Sequence, residues 1–174
     1  MKNNNVLKYL FEKGDGQMNI VLFRIDERLI HGQIAHAWSA KCKPKEILVI
    51  DDEGVDDPLV EMTLEMAVPS GVDFSLLNTA DSITYLKENK NNNKRVLIVV
   101  KSPKIPLQLI DNDIEINSIN VGGMYYRKDK NKISKTVYLS DEDIELFKKI
   151  QERGVESEIR TNPSDKSVDL YQLI

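Results

Sequence analysis

The sequence predicts a three-layer α/β protein with a mainly parallel central sheet of about six strands. Strand-like and helix-like segments alternate from Met18 onward, which is the order that produces parallel strands joined by right-handed helical crossovers. The runs at 46–50 and 95–100 are apolar almost throughout, which is typical of strands covered on both faces. With 174 residues, 41% of them hydrophobic, the chain can bury one good core, and we expect a single domain.

Capping and turn residues indicate where the elements begin and end. Asp57 and Pro58 are an N-cap followed by a proline at the first helical position, and Ser140 with three acidic residues caps and charges the start of the last helix. In chain order we expect strands at 19–25, 46–50, 72–77, 95–100, 116–121 and 155–161. We expect helices at 33–41, from 58 to near Pro69 through Leu59, Met62, Leu64 and Met66, at 79–88, at 105–110 and from 141 to near Arg153.

Two segments leave alternatives open. The alternating run 133–139 is either a further strand or an edge hairpin. Residues 1–17 are polar at their start and contain Gly14 and Gly16, so we treat them as an N-terminal extension to a domain at 18–174. Codons for Lys13, Gly14 and Asp15 can form a bacterial ribosome-binding sequence, which suggests that natural translation begins at Met18. The alternative is a real extension that is disordered or weakly helical.

Composition excludes several classes of function. A net charge of −4 without a basic stripe argues against a nucleic-acid surface. The single Cys42 permits no internal disulfide and cannot hold a metal alone, and we predict an unremarkable residue at a helix end. No apolar run is long enough to span a bilayer, and the start of the chain lacks a secretory signal. We therefore expect a cytoplasmic protein whose partners are proteins or small molecules, with no metal and no cofactor.

The most informative segment is 24–34, whose sequence is RIDERLIHGQI. It follows the apolar run 20–23 and precedes a predicted helix, so His31 lies where a strand leads into a helix. Open α/β sheets place reactive groups at such junctions, beyond the carboxyl ends of the strands. An isolated histidine is more often structural than catalytic, but Arg24, Arg28 and a helix N-terminus accompany this one.

The surroundings of His31 suit phosphoryl chemistry. Gly32 leaves backbone N–H groups accessible at the helix start, where unpaired amides and the helix dipole attract phosphate. Arg28 can add bidentate hydrogen bonds. The same positive field disfavours imidazolium and keeps the ring neutral and nucleophilic. These features point to a phosphohistidine.

The chain resembles a known family at five motifs. It is similar to the IIB component of the mannose/fructose/sorbose branch of the bacterial phosphoenolpyruvate-dependent sugar phosphotransferase system (PTS). The resemblance spans 18–174 and implies the EIIB type-4 domain, with six strands in the order 3-2-4-1-5-6. Its motifs are Arg24 to Ile34, Ile50-Asp51-Asp52, Asp56-Asp57-Pro58, Val100-Lys101-Ser102-Pro103 and Asn120-Val121-Gly122-Gly123-Met124.

The resemblance implies a function and partners. A phosphohistidine of enzyme IIA would donate its phosphoryl group to Nδ1 of His31, and the group would then pass to a sugar held by membrane components IIC and IID. The protein would be cytoplasmic and associated peripherally with this permease. The resemblance leaves open whether the protein forms a homodimer. The alternative is a non-catalytic regulatory or binding module of the same fold. The sequence does not identify the sugar.

Roles for the other site residues follow from the same motifs. Arg28 should neutralise the phosphoryl oxygens during transfer. Arg24 and Asp26 are either site residues or a structural ion pair, and we favour the ion pair for Asp26. Gly122 and Gly123 are expected to serve backbone shape. The candidate phosphate-binding or loop residues are Arg24, Asp26, Gly32, Gln33, Lys101 and Ser102, and we expect Arg24, Arg28 and Lys101 to face an acidic IIA surface.

Two rival functions fit the sequence poorly. A histidine phosphatase needs an arginine directly before the histidine, where this chain has Ile30, and a second distant catalytic histidine. His36 is the only other histidine, and two histidines five residues apart on a helix diverge around its axis, which also argues against a metal pair. The glycines near residue 122 lack the spacing of a dinucleotide fingerprint, and the chain has no P-loop.

Overall fold

A seven-stranded sheet forms the centre of the protein. The computed structural model describes residues 18–174, so the predicted extension at 1–17 lies outside the described residues. The strands are β1 Asn19–Asp26, β2 Glu46–Ile50, β3 Asp73–Leu77, β4 Arg95–Val100, β5 Ser118–Gly123, β6 Asn131–Lys132, β7 Tyr138–Leu139, β8 Glu156–Ile159 and β9 Val168–Asp169. The helices are α1 Gly32–Cys42, α2 Pro58–Glu65, α3 Thr79–Glu88, α4 Lys104–Asp111 and α5 Asp141–Glu152, followed by a 3-10 turn at Leu170–Gln172.

The sheet order confirms the predicted fold class. The order is β3-β2-β4-β1-β5-β8-β9, and its first six strands are parallel. Counting β8 as the sixth long strand, this is the order 3-2-4-1-5-6 that the family resemblance implied. The edge strand β9 is antiparallel to β8 and was not predicted, because two residues carry no periodic signal. The segment around 133–139 is a hairpin, in which β6 pairs antiparallel with β7.

Helices cover both faces of the sheet. On one face, Trp38 and Cys42 of α1 and Leu64 of α2 pack against β1, β2 and β4. On the other face, α3, α4 and α5 contribute side chains such as Leu109 and Phe147 to a second apolar cluster. The buried strands are therefore apolar on both sides, as the continuous runs in the sequence predicted. No helix within 18–174 is long and apolar enough to cross a membrane.

Helix α2 shows both a confirmed start and an unexpected surface. Asp57 caps it by accepting a hydrogen bond from the Leu59 N–H at 2.9 Å. The helix ends at Glu65, before the predicted end near Pro69. Leu59, Met62 and Met66 are 65%, 53% and 81% exposed, whereas Leu64 is buried. Spacings of three and seven residues put the first three on one side of the helix, opposite Leu64.

The topology places three loops next to each other. Strand β1 is flanked by β4 and β5, and all three run parallel. Their carboxyl ends therefore meet at one edge of the sheet. The loops that begin there carry His31 after β1, Lys101 after β4 and Tyr125 after β5.

Candidate functional site

The connection from β1 to α1, residues 27–31, carries the candidate nucleophile, and we call it the His31 loop. Leu29 and Ile30 are buried at 5% and 6% exposure, which anchors the loop on the apolar core of the α1 face. Leu29 has φ of +56°, an uncommon conformation for a residue with a side chain, and Gly32 has φ of +41°. His31 itself has extended backbone and lies directly before Gly32, the first residue of α1.

Only one of the two ring nitrogens of His31 has a hydrogen-bond partner in the described structure. Its Nδ1 lies 3.1 Å from the carbonyl oxygen of Leu29, a contact that places the ring proton on Nδ1. In the neutral ring the lone pair is then on Nε2, which is buried without a hydrogen-bond partner in the described structure. Attack through Nδ1, which the family resemblance implied, therefore requires the ring to turn away from Leu29.

The start of α1 offers unpaired amides beside His31. His31 is the N-cap residue, yet its side chain makes no capping hydrogen bond, and the first turn contains no acidic residue. Gly32 and Gln33 are exposed at this end. An eleven-residue helix with an uncapped, solvent-facing N-terminus favours an anion at that position.

Arg28 faces solvent in the same loop. Its side chain is 55% exposed, and its guanidinium lies 5.4 Å from the centre of the Tyr125 ring. Asp26 is 4.0 Å away and gives only a weak ion pair. Burial, together with the charge of Asp26, raises the pKa of Tyr125. Tyr125 was not predicted from the sequence, although an aromatic residue two positions after the carboxyl end of a strand beside β1 was the available signal.

Arg24 and Asp26 form the structural ion pair that the sequence suggested as one alternative. Arg24 Nη2 lies 2.9 Å from Asp26 Oδ2, and the two side chains are 3% and 1% exposed. Arg24 also donates to Asn120 Oδ1 at 2.5 Å and lies against Trp38, and burial lowers its pKa. Asp26 accepts from the Arg28 backbone N–H at 3.1 Å. The buried pair therefore supports the backbone of the His31 loop. We expected Arg24 to face a partner protein, and its burial in this ion pair rules that out.

Two glycines of β5 leave space for the side chains of Arg24 and Tyr125. A side chain at Gly122 would overlap the guanidinium of Arg24, and a Cβ at Gly123 would lie 2.9 Å from the Tyr125 hydroxyl. Neither glycine has a positive φ. The expectation that they serve backbone shape is therefore corrected: they leave space for the side chains of two neighbours.

Lys101 and Ser102 lie on the adjacent strand end, but they do not join His31 directly. Lys101 Nζ is 2.6 Å from Asp51 Oδ2, and Asp51 is buried. Within residues 18–174 no hydrogen bond or ion pair links either residue to the His31 loop. His36 is exposed, with its Nδ1 3.3 Å from the Gly32 carbonyl oxygen.

The remaining sequence predictions concern metal and thiol chemistry. No group of three or more His, Cys, Asp or Glu side chains in the described part of the chain could hold a metal ion. Cys42 is the last residue of α1 and is buried. Burial raises the pKa of its thiol to about 11, so the thiol stays protonated at neutral pH.

Comparison with known proteins places this chain in a family. A family model described as PTS system sorbose subfamily IIB component matches residues 20–174. The mannose-specific EIIAB component of the PTS of Escherichia coli K12 is 36% identical over 160 residues, which cover 90% of this chain and 50% of that protein. The N-acetylgalactosamine-specific phosphotransferase enzyme IIB component 2 of the same strain is 35% identical over 159 residues, which cover 90% of this chain and 99% of that protein.

The two relatives differ in how much of their own length the chain covers, and a solved structure of a third protein has a similar fold. The chain spans 50% of the length of the mannose-specific EIIAB component, whereas it matches the IIB component 2 almost from end to end. The crystal structure of the IIBSor domain of the sorbose permease from Klebsiella pneumoniae has a TM-score of 0.86 at 28% identity, covering 89% of this chain and 95% of that one. The chain therefore belongs to the sorbose subfamily of IIB components of the PTS, whose general role is phosphotransfer during sugar transport.

Proposed function

We propose that this chain is a phosphocarrier that accepts a phosphoryl group on His31 from a phosphohistidine of a IIA component. It then gives that group to a sugar bound by membrane components IIC and IID, as a protein-N(π)-phosphohistidine–sugar phosphotransferase. One observation carries the proposal. The single histidine at the carboxyl edge of the central sheet lies between an exposed arginine and the uncapped N-terminus of a helix.

The first transfer is an exchange between two imidazoles. The bond between phosphorus and the donor nitrogen breaks as a bond to His31 forms, and the donor nitrogen keeps the electron pair. Each ring retains the proton on its other nitrogen. Arg28 and the first amides of α1 interact with the phosphoryl oxygens, where negative charge is concentrated.

The ring orientation of His31 adds a requirement for reaction at Nδ1. The hydrogen bond to the Leu29 carbonyl oxygen must break, the ring must rotate, and the ring must lose its Nδ1 proton to water and gain one on Nε2. Side-chain rotation of this kind is fast compared with typical turnover. We propose that donor binding selects the rotated ring.

The second transfer passes the group to the sugar. A sugar hydroxyl attacks phosphorus and loses its proton, while the electron pair of the phosphorus–nitrogen bond returns to His31. IIC and IID hold this sugar, so the carrier acts at the cytoplasmic face of the permease and associates with it peripherally. The type of sugar depends on those partners, and the relatives are named for several different sugars.

Phosphoryl incorporation tests this function. Purified protein is incubated with phosphoenolpyruvate, the general PTS proteins and a IIA component, and the bound phosphate is tested for stability. We expect one acid-labile phosphate per chain, located on a His31 peptide. A chain that gains no phosphate while IIA is phosphorylated would instead be a regulatory or binding module of the same fold.

A further inference from the structure

A basic segment follows β5 at the sheet edge that carries the His31 loop. We call residues 127–135 the basic loop; it includes β6 and leads into β7. It contains five Lys and Arg residues and one Asp, a net charge of +4 within a chain whose net charge is −4. The charge balance of the whole chain conceals this concentration of positive charge.

One carboxylate fixes the basic loop against the His31 loop. Glu27, the first residue of the His31 loop, accepts from Lys130 Nζ at 2.8 Å and from the Tyr125 backbone N–H at 3.2 Å. Arg127 Nη2 lies 3.5 Å from the same carboxylate. Lys130 is 6% exposed and also contacts Asp143 of α5 at 3.3 Å. The basic loop therefore has a defined position relative to the nucleophile.

The other charges of the loop face solvent. Lys128, Lys132 and Lys135 are exposed, and none of them forms an ion pair with another residue of 18–174. Tyr126 beside them is 67% exposed. Arg28, on the adjoining loop, adds a further exposed positive charge. Together these side chains form a basic surface with an aromatic residue within it.

We propose that the basic loop is the docking surface for the phosphoryl donor, and that this donor has an acidic rim around its phosphohistidine. The inference rests on the proposed function, because a donor that reaches His31 must cover this edge of the sheet. Complementary charge accelerates the encounter of two proteins. An anionic membrane surface is the weaker candidate, because it would cover the loop that the donor must reach.

The ion pairs in the structure also change which basic residues we expect to attract the donor protein. Arg24 is held in its buried pair with Asp26, and Lys101 contacts the buried carboxylate of Asp51. Neither offers an unpaired charge to a partner. The lysines of the basic loop do, so they account for the positive surface that the sequence assigned to Arg24 and Lys101.

A charge-matched pair of triple variants tests the proposal. The first is Lys128→Gln/Lys132→Gln/Lys135→Gln in the basic loop. The control is Lys41→Gln/Lys87→Gln/Lys90→Gln, which removes three exposed lysines near the carboxyl ends of α1 and α3, at the opposite edge of the sheet. Both variants have the same net charge. Stopped-flow measurement of transfer from phospho-IIA across a salt series gives the association rate of each.

We expect the loop variant to accept phosphate about tenfold more slowly at low salt and to lose most of the salt dependence. The control variant should stay within about twofold of the wild type. Equal slowing of the two variants would show a general effect of net charge and overturn the proposal. Unchanged transfer in the loop variant, with loss of binding to phosphatidylglycerol vesicles, would make this surface a membrane contact and also overturn it.

A small phosphodonor separates this proposal from the proposed function. Phosphoramidate transfers its phosphoryl group to a histidine with release of ammonia and needs no docking surface. The loop variant should be phosphorylated by phosphoramidate as fast as the wild type. Loss of that reaction in the loop variant would show damage to the site and overturn the docking role, whereas a wild-type protein that neither donor phosphorylates would contradict the proposed function itself.

Discussion

The His31 side chain belongs to neither apolar cluster and makes no capping hydrogen bond. We therefore expect His31→Ala and His31→Gln to abolish phosphoryl acceptance while the free energy of unfolding changes by less than about 0.5–1 kcal/mol. His36→Gln, at an exposed position on α1, is the matched control and should accept phosphate normally. Urea unfolding and phosphate incorporation measure the two effects. Acceptance by His31→Ala would place the phosphohistidine elsewhere.

Arg28 presents a planar cation over the Tyr125 ring, 5.4 Å from its centre. Arg28→Lys keeps the charge but loses the two-point contact of the guanidinium and its stacking. We expect transfer from phospho-IIA to slow by about tenfold, or roughly 1.4 kcal/mol of transition-state stabilisation. Single-turnover rates at saturating donor measure this loss. A wild-type rate would remove Arg28 from contact with the phosphoryl group.

The role of Gly122 in leaving space for the Arg24 guanidinium can be tested by substitution. We expect Gly122→Ala to reduce the free energy of unfolding by about 1–3 kcal/mol, because the new methyl group displaces the Arg24 guanidinium from Asp26 and Asn120. A double-mutant cycle with Arg24→Ala measures the coupling. The cost of Gly122→Ala should be smaller in the Arg24→Ala background. Equal costs in both backgrounds would show that the glycine serves another purpose.

The sequence predicted residues of this site unequally. His31 and Arg28 lie in one continuous motif, so their proximity could be read directly from the chain. Tyr125 and Lys130 are separated from the motif by about a hundred residues and reach it only because β5 pairs with β1. Side-chain partners across strands depend on register, which composition and periodicity do not specify.

At the scale of single elements, α2 has two apolar sides with different consequences. Leu64 faces the core, and Met66 is 81% exposed. We expect Leu64→Ala to reduce the free energy of unfolding by about 2–3 kcal/mol through cavity formation. Met66→Gln should change it by less than about 0.5 kcal/mol. Thermal or urea unfolding of the two variants compares them, and a large loss in Met66→Gln would indicate that this side is covered.

Element boundaries were predicted best where local signals exist. The strands β2 and β4 and the helix α3 match their predicted ranges residue for residue, because apolar runs and caps define them. The helix α2 ends several residues early, since Gly71 and Pro69 mark the turn before β3 and not the helix end itself. The pair β6 and β7 is short and depends on contacts with Met124, which a local pattern cannot show.

For the molecule as a whole, the buried thiol of Cys42 links stability to alkaline pH. Burial raises the pKa of this thiol from its ordinary value near 9 to about 11. Below pH 9 the thiol is protonated in both the folded and the unfolded protein, so its titration does not change the free energy of unfolding. Above pH 9 the thiol of the unfolded chain loses its proton before the thiol of the folded protein does. The free energy of unfolding should therefore fall as pH rises from 9 to 11.

Comparison with Cys42→Ala checks this dependence. Other groups titrate in the same range, so the useful quantity is the difference in pH slope between wild type and variant. Urea unfolding at pH values between 8 and 11 should show a shallower decline for the variant. Parallel declines would mean that the thiol is already accessible to water in the folded protein.

The single tryptophan has a consequence for observing the protein at work. Trp38 donates its indole N–H to the Thr161 carbonyl oxygen at 2.9 Å. The guanidinium groups of Arg24 and Arg160 contact its ring, at 5.6 and 5.4 Å from the ring centre. Arg24 in turn contacts Asp26, which supports the backbone of the His31 loop. Intrinsic fluorescence, excited selectively at this one indole, thus originates a few side chains from the nucleophile. It offers an optical signal of events at the loop without any attached dye.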